Sequence, residues 1–135
     1  MTQEDKELLL KDLCARLPYG VKCKILETNK VKILGSIQYD DENTLFDFWE
    51  NYKKIQYDYQ LCLTEFKPYL FPLSSMTEEQ KRTYNIISLD ADWVSNPHYN
   101  VPAYNVLDWL NNNRLDYRGL IDKGLAIDAT GLNIY

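Results

Sequence analysis

Hydrophobic and polar positions change period near the middle of the chain. Up to about Leu63 most apolar residues alternate with polar ones, and beyond Thr77 they recur at helical spacing. The first segment is an exception. Leu9, Leu10, Leu13, Cys14 and Leu17 form one apolar stripe behind Thr2 and Asp5, a capping-box pair, so the spacing predicts an amino-terminal helix stopped by Pro18 and Gly20. Cys14 lies within that stripe and is expected in the core as a small apolar residue.

A hairpin follows. Val21, Cys23 and Ile25 share one face of a strand over residues 21–26, with Lys22 and Lys24 on the other. After a turn at Asn29 and Lys30, Val31, Ile33, Ile37 and Tyr39 are expected inward and Lys32, Leu34, Ser36 and Gln38 outward. Gly35 interrupts the inward set, the mark of a bulge or sharp bend. Residues 44–52 fit a helix through Leu45, Phe48, Trp49 and Tyr52, and fit a strand nearly as well; aromatic enrichment and neighbouring strands favour the strand. In residues 55–63, Ile55, Tyr57, Tyr59, Leu61 and Leu63 alternate with polar positions, so Cys62 points off the apolar face toward solvent.

Pro68 and Pro72 each lack a backbone donor, which places residues 67–73 along an edge or over the core and not in the sheet centre. Ser75 with Glu78, or Thr77 with Gln80, caps a surface helix reaching about Ile87 on a thin stripe of Met76, Tyr84 and Ile87. Residues 88–100 read as a loop carrying Trp93 and His98. Pro102 opens a helix through Ala103, Val106, Leu107 and Leu110, which the asparagines 111–113 break. A short helix over 117–123 is expected to end at Gly124, and residues 125–128 to pair with a sheet edge.

The resulting fold expectation is α+β within a single domain, residues 1–135. An amino-terminal helix (1–18) precedes a small antiparallel SH3-like or Sm-like barrel (19–73), and a mainly helical part (74–135) packs on it. With 45% hydrophobic and 26% charged residues the composition is that of an ordinary globular chain. Three cysteines without CxxC spacing argue against a disulfide framework or zinc site and suit a reducing cytoplasm. No segment resembles a signal peptide or membrane span.

Four segments carry a family resemblance: residues 8–21 (LLLKDLCARLPYGV), 67–81 (KPYLFPLSSMTEEQK), 108–110 (DWL) and 116–126 (DYRGLIDKGLA). They resemble a group of small uncharacterised proteins encoded in bacteriophages, prophages and other mobile elements of gut Bacteroidales. Residues 27–65 and 85–106 carry no such resemblance. What it implies is a genomic setting and no mechanism.

Candidate chemistry is sparse. Asp90, Asp92 and His98 are the nearest approach to a metal or acid/base set, but Asp-x-Asp is common, no third ligand stands at a convincing spacing, and a solvated loop is the better reading. Arg118 can present a fork to a carboxylate or phosphate beside Tyr117, or pair internally with Asp116 or Asp122. No nucleophile elbow or phosphate loop is present. Eleven tyrosines and three tryptophans supply amphipathic surface, as suits a sheet rim or a binding face. Tyr57, Tyr59, Trp93, Tyr117 and Arg118 are the binding candidates; no catalytic residue, metal ligand or cofactor is assigned. A net charge of −5 weighs against nucleic acid, although Lys22, Lys24, Lys30 and Lys32 fall on one hairpin and keep a nucleic-acid-binding barrel as the rival reading. A small metal-dependent hydrolase is the second rival. The favoured expectation is a non-enzymatic cytoplasmic protein that binds a host or phage protein, with no membrane association.

Overall fold

The computed structural model describes residues 1–39, 43–49, 59–90 and 106–135. Helix α1 (Gln3–Arg16) starts as its sequence requires: the Thr2 hydroxyl accepts from the Asp5 N–H at 3.1 Å, and the Asp5 carboxylate accepts from the Thr2 N–H. Its buried positions are Leu9, Asp12, Leu13 and Arg16. That i, i+3, i+4, i+7 face is rotated from the expected stripe and leaves Cys14 exposed, so Cys14 is not a core residue. Two charged residues occupy the face that hydrophobicity alone assigned to leucine and cysteine.

Strands β1 (Lys22–Ile25), β2 (Val31–Tyr39), β3 (Thr44–Trp49) and β4 (Tyr59–Leu61) form an antiparallel meander. The ambiguous segment after Asn43 is thus a strand over its described residues. Strand β5 (Phe66–Pro72) adds antiparallel to β1. Beyond it the short strands β6 (Leu115–Asp116) and β7 (Ile127–Asp128) both run parallel to β5. The order is β4-β3-β2-β1-β5-β6, with β7 beside β5. The protein is α+β, but this sheet is open and mixed and does not close into the expected antiparallel barrel.

β5 is therefore central, against the expectation drawn from its prolines. The Leu26 N–H donates to Glu65 C=O at 3.0 Å, so by alternation Cys23 and Pro68 form a non-hydrogen-bonded pair in which no Pro68 N–H is needed toward β1. The parallel partners begin only after it, at Tyr69 with Ile127 and Phe71 with Leu115. Both prolines thus fall where the ladder makes no demand on their nitrogen or is ending.

The register shifts between Leu34 and Ser36, placing a bulge at Gly35. The Trp49 indole lies against Gly35 where any Cβ would stand. Across this bulge the inward parity changes. Leu34 pairs with Phe48 and Ile37 with Phe46, both core phenylalanines, whereas Lys32 stands opposite Cys23 and is buried. The expected inward set is corrected accordingly: Val31 is 38% exposed, Tyr39 is 83% exposed, and Ile33 pairs with Trp49 on the other face.

The core lies between α1 and one sheet face. Leu9 and Leu13 meet Val21, Cys23, Ile25, Leu34, Phe46, Phe48, Phe66 and Leu70. Phe66 packs edge-on against Phe46 at 5.1 Å and Phe48 at 4.8 Å between centroids. Leu120, Leu125 and Ala126 complete the cluster.

Helix α2 (Glu78–Asp90) takes its cap from Thr77 and Gln80, which exchange side-chain and backbone hydrogen bonds at 3.0 and 3.1 Å. Ser75 instead closes the short 3-10 turn before it, donating to Pro72 C=O. α2 lies on the surface, with Ile87 buried and Tyr84 against Trp109 of helix α3 (Val106–Asn112). The expected helix over 117–123 is absent. Gly119 and Gly124 both take left-handed backbone (φ +72°), and the Asp116 carboxylate accepts from the N–H groups of Leu120 and Ile121 at 2.9 Å, holding a compact turn instead. Residues 127–128 do join the sheet, as expected.

Candidate functional site

Of the residues singled out from sequence, Tyr57 and Trp93 lie outside the described residues, as do Asp92 and His98. The backbone of Tyr59 enters β4 opposite Phe48, and its side chain lies outside the described residues. Tyr117 and Arg118 are brought together, with the tyrosine ring beside the guanidinium as expected, but the carboxylate that Arg118 meets is not a local one. Arg118 Nε donates to Asp12 Oδ1 at 3.2 Å, on α1 and 106 positions away, not to Asp116 or Asp122.

Asp12 is the centre of this arrangement. Arg16, one turn on, donates to both its oxygens at 2.7 and 3.0 Å and to Leu115 C=O at 2.8 Å. Asp12 and the Arg16 side chain are fully buried, while Arg118 keeps 16% of its side chain exposed. The Tyr117 ring lies beside both guanidinium groups, 5.3 Å from Arg16 and 4.8 Å from Arg118. Its hydroxyl accepts from Arg118 Nη2 at 3.0 Å and donates to Asn111 Oδ1 at 2.9 Å. One carboxylate thus answers two cations, one fully buried and one partly exposed, and the tyrosine ring contacts both. The network ties α1, α3 and the 115–120 segment together, and apart from Arg16 Nη1, which is buried without a hydrogen-bond partner, the groups named above are engaged in holding the fold.

The four hairpin lysines do not form one basic face. Lys22 and Lys24 pair with Ile33 and Val31, whereas Lys32 sits on the opposite, core-facing side with Cys23. Lys22 Nζ donates to Ile134 C=O at 2.7 Å. The β1–β2 register that sets Lys32 opposite the buried Cys23 is what divides the set.

A groove of about 390 Å³ opens on the other flank of α1. Gln3, Lys6, Glu7 and Leu10 recur one helical turn apart and form one wall. Thr44 and Phe46, on the same face of β3, form its floor with Leu63, and Cys62 and Thr64 stand at the rim. Gln3 donates to Glu7 across the wall at 3.2 Å. Cys62 is exposed, as its alternation implied, and its N–H is held by the Glu65 carboxylate at 2.6 Å. The helix wall is not legible as a site in the sequence. The recurrence of Gln3, Lys6 and Leu10 was its one signal, and Leu10 had been assigned to the core stripe.

Burial raises the Cys23 thiol far above its ordinary ionisation range and the Cys14 thiol above it to a lesser degree. Among the described residues no cluster of three His, Cys, Asp or Glu could hold a metal ion, and no helix is long and apolar enough to cross a membrane. No family model matches the chain, and neither the curated proteins nor the solved structures yield a match.

Proposed function

We propose that this chain is a non-enzymatic accessory protein of a phage or mobile element, acting in the bacterial cytoplasm by binding a host or phage protein. Inhibition of a defence system or other host factor is the special case of that role. The observation that carries the reading is the groove between α1 and β3. Its apolar lining of Leu10, Phe46 and Leu63 is accompanied by the polar Gln3, Lys6, Glu7 and Thr64, the mix of apolar and polar groups found at protein-recognition surfaces. The conspicuous arginines support the reading from the other side, because Arg16 and Arg118 are spent on Asp12. The genomic setting comes from the four resembling segments.

The test is capture from lysate of a gut Bacteroidales host carrying the element, using the intact chain beside Lys6→Glu and Cys62→Trp. Both substitutions alter exposed groove positions. The reading expects a partner retained by the intact chain and depleted about tenfold or more by each variant. An identical captured set, or no retained protein, contradicts it.

A further inference from the structure

Strands β1 and β5 part just where Lys22 and Tyr69 would exchange backbone hydrogen bonds, since their pairing ends at Cys23 and Pro68. The Tyr135 hydroxyl occupies the gap. It accepts from the Lys22 N–H at 2.8 Å and donates to Tyr69 C=O at 2.8 Å, standing in for the missing rungs of the ladder. The ring rests on the Arg114 guanidinium, 4.2 Å from its centroid, with Lys22 Nζ at 5.6 Å and the Phe71 ring at 5.8 Å. Arg114 is itself fixed by the carbonyls of Tyr19 and Asn112. The slot therefore combines one donor, a close acceptor with the Lys22 carbonyl 3.5 Å away as a weaker second, and a cationic platform, which is the complement of a phenol.

The segment that delivers Tyr135 is lightly held. Residues 130–133 are all exposed, and Gly131 and Asn133 both take left-handed backbone, at φ +75° and +52°. Beyond its own turn at Asp128 and Ala129, the segment is fastened at Ile134 C=O and at Tyr135.

We propose that this slot is a recognition site for a tyrosine-bearing peptide segment, occupied in cis by residues 132–135 as a displaceable latch. It lies apart from the α1 groove and goes beyond it, adding the chemistry of a second partner to the binding role. Phosphotyrosine is excluded from the ligand class, because Tyr69 C=O requires a donor and repels a phosphate. Phenylalanine leaves both Lys22 N–H and Tyr69 C=O without a partner.

The experiment titrates the peptide Leu-Asn-Ile-Tyr into full-length Tyr135→Ala, following the Lys22 amide by NMR. The tyrosine peptide is expected to bind at least about tenfold tighter than its phenylalanine and phosphotyrosine counterparts, and tenfold tighter than it binds the intact chain. Equal binding of the three peptides, or none to folded Tyr135→Ala, overturns the proposal. Should Tyr135→Ala not fold, Tyr135→Phe keeps the ring on Arg114. There the Lys22 amide is expected to exchange faster and to regain protection when peptide is added, and unchanged exchange overturns the proposal. Failure here with capture at the groove intact sinks only the slot; the reverse pattern sinks only the groove.

Discussion

Arg118 and Asp12 meet at 3.2 Å although 106 positions separate them. The contact converts the turn after β6 into a clasp on α1, and it shares its carboxylate with the bidentate Arg16. Asp12→Ala strands a fully buried guanidinium and is expected to destabilise the protein by about 3–5 kcal/mol in urea unfolding. Arg118→Gln, which removes a partly exposed partner, is expected to cost about 1–3 kcal/mol. The two changes should be non-additive by more than about 0.5 kcal/mol. A loss below about 1 kcal/mol for Asp12→Ala contradicts the assigned role of the network.

That clasp marks where sequence reading stops. The Thr2 and Asp5 capping box, the Thr77 and Gln80 box, the limits of β2 and the bulge at Gly35 were all legible, because each depends on residues within a few positions of one another. Arg118's partner was not, since nothing local distinguishes Asp12 from Asp116 or Asp122. Asp116 was in fact committed to the N–H groups of Leu120 and Ile121, which is also why no helix forms there. Pro68 in a central strand was illegible for a similar reason: β6 and β7 reach β5 from more than forty residues away and begin pairing just past the proline. At the site, the exposure of Cys62 followed from alternation. The groove wall did not, because the buried face of α1 includes Asp12 and Arg16 with Leu9 and Leu13 and is rotated so that Leu10 leaves it.

Gly35 and Trp49 should behave as a pair. Gly35→Ala pushes a methyl into the indole and is expected to cost about 1–3 kcal/mol of stability. In a Trp49→Leu background the same change should cost distinctly less. Equal penalties in the two backgrounds would show that the indole does not impose the glycine.

The Tyr135 hydroxyl carries a pH signature. Burial raises its pKa above the ordinary 10.0, although the backbone contact to Lys22 opposes this. The folded state therefore keeps the proton longer than the unfolded chain. Its contribution is complete below pH 10 and is lost as pH rises above that value and the unfolded phenol ionises. Wild type is expected to fall more steeply with pH than Tyr135→Phe above pH 10, by at most about one proton's slope. Tyr69 and Cys23 are shifted in the same direction but are common to both proteins. Parallel alkaline limbs would contradict the buried, hydrogen-bonded hydroxyl.

The two candidate caps ahead of α2 separate by substitution. Thr77→Ala removes the hydroxyl that accepts from the Gln80 N–H and is expected to cost about 1 kcal/mol, with faster amide exchange at Gln80. Ser75→Ala touches only the preceding turn and should leave that amide unchanged. Faster exchange in both variants would place the cap elsewhere.

The groove is tested most directly at Cys62, which stands on its rim and is exposed, while Cys23 is fully buried. In a Cys14→Ser background, Cys62 is the one exposed thiol, so its maleimide labelling rate reports the groove alone. With the captured partner present, labelling of Cys62 is expected to slow by about tenfold or more relative to the free protein. An unchanged rate with the partner bound would contradict recognition through this groove.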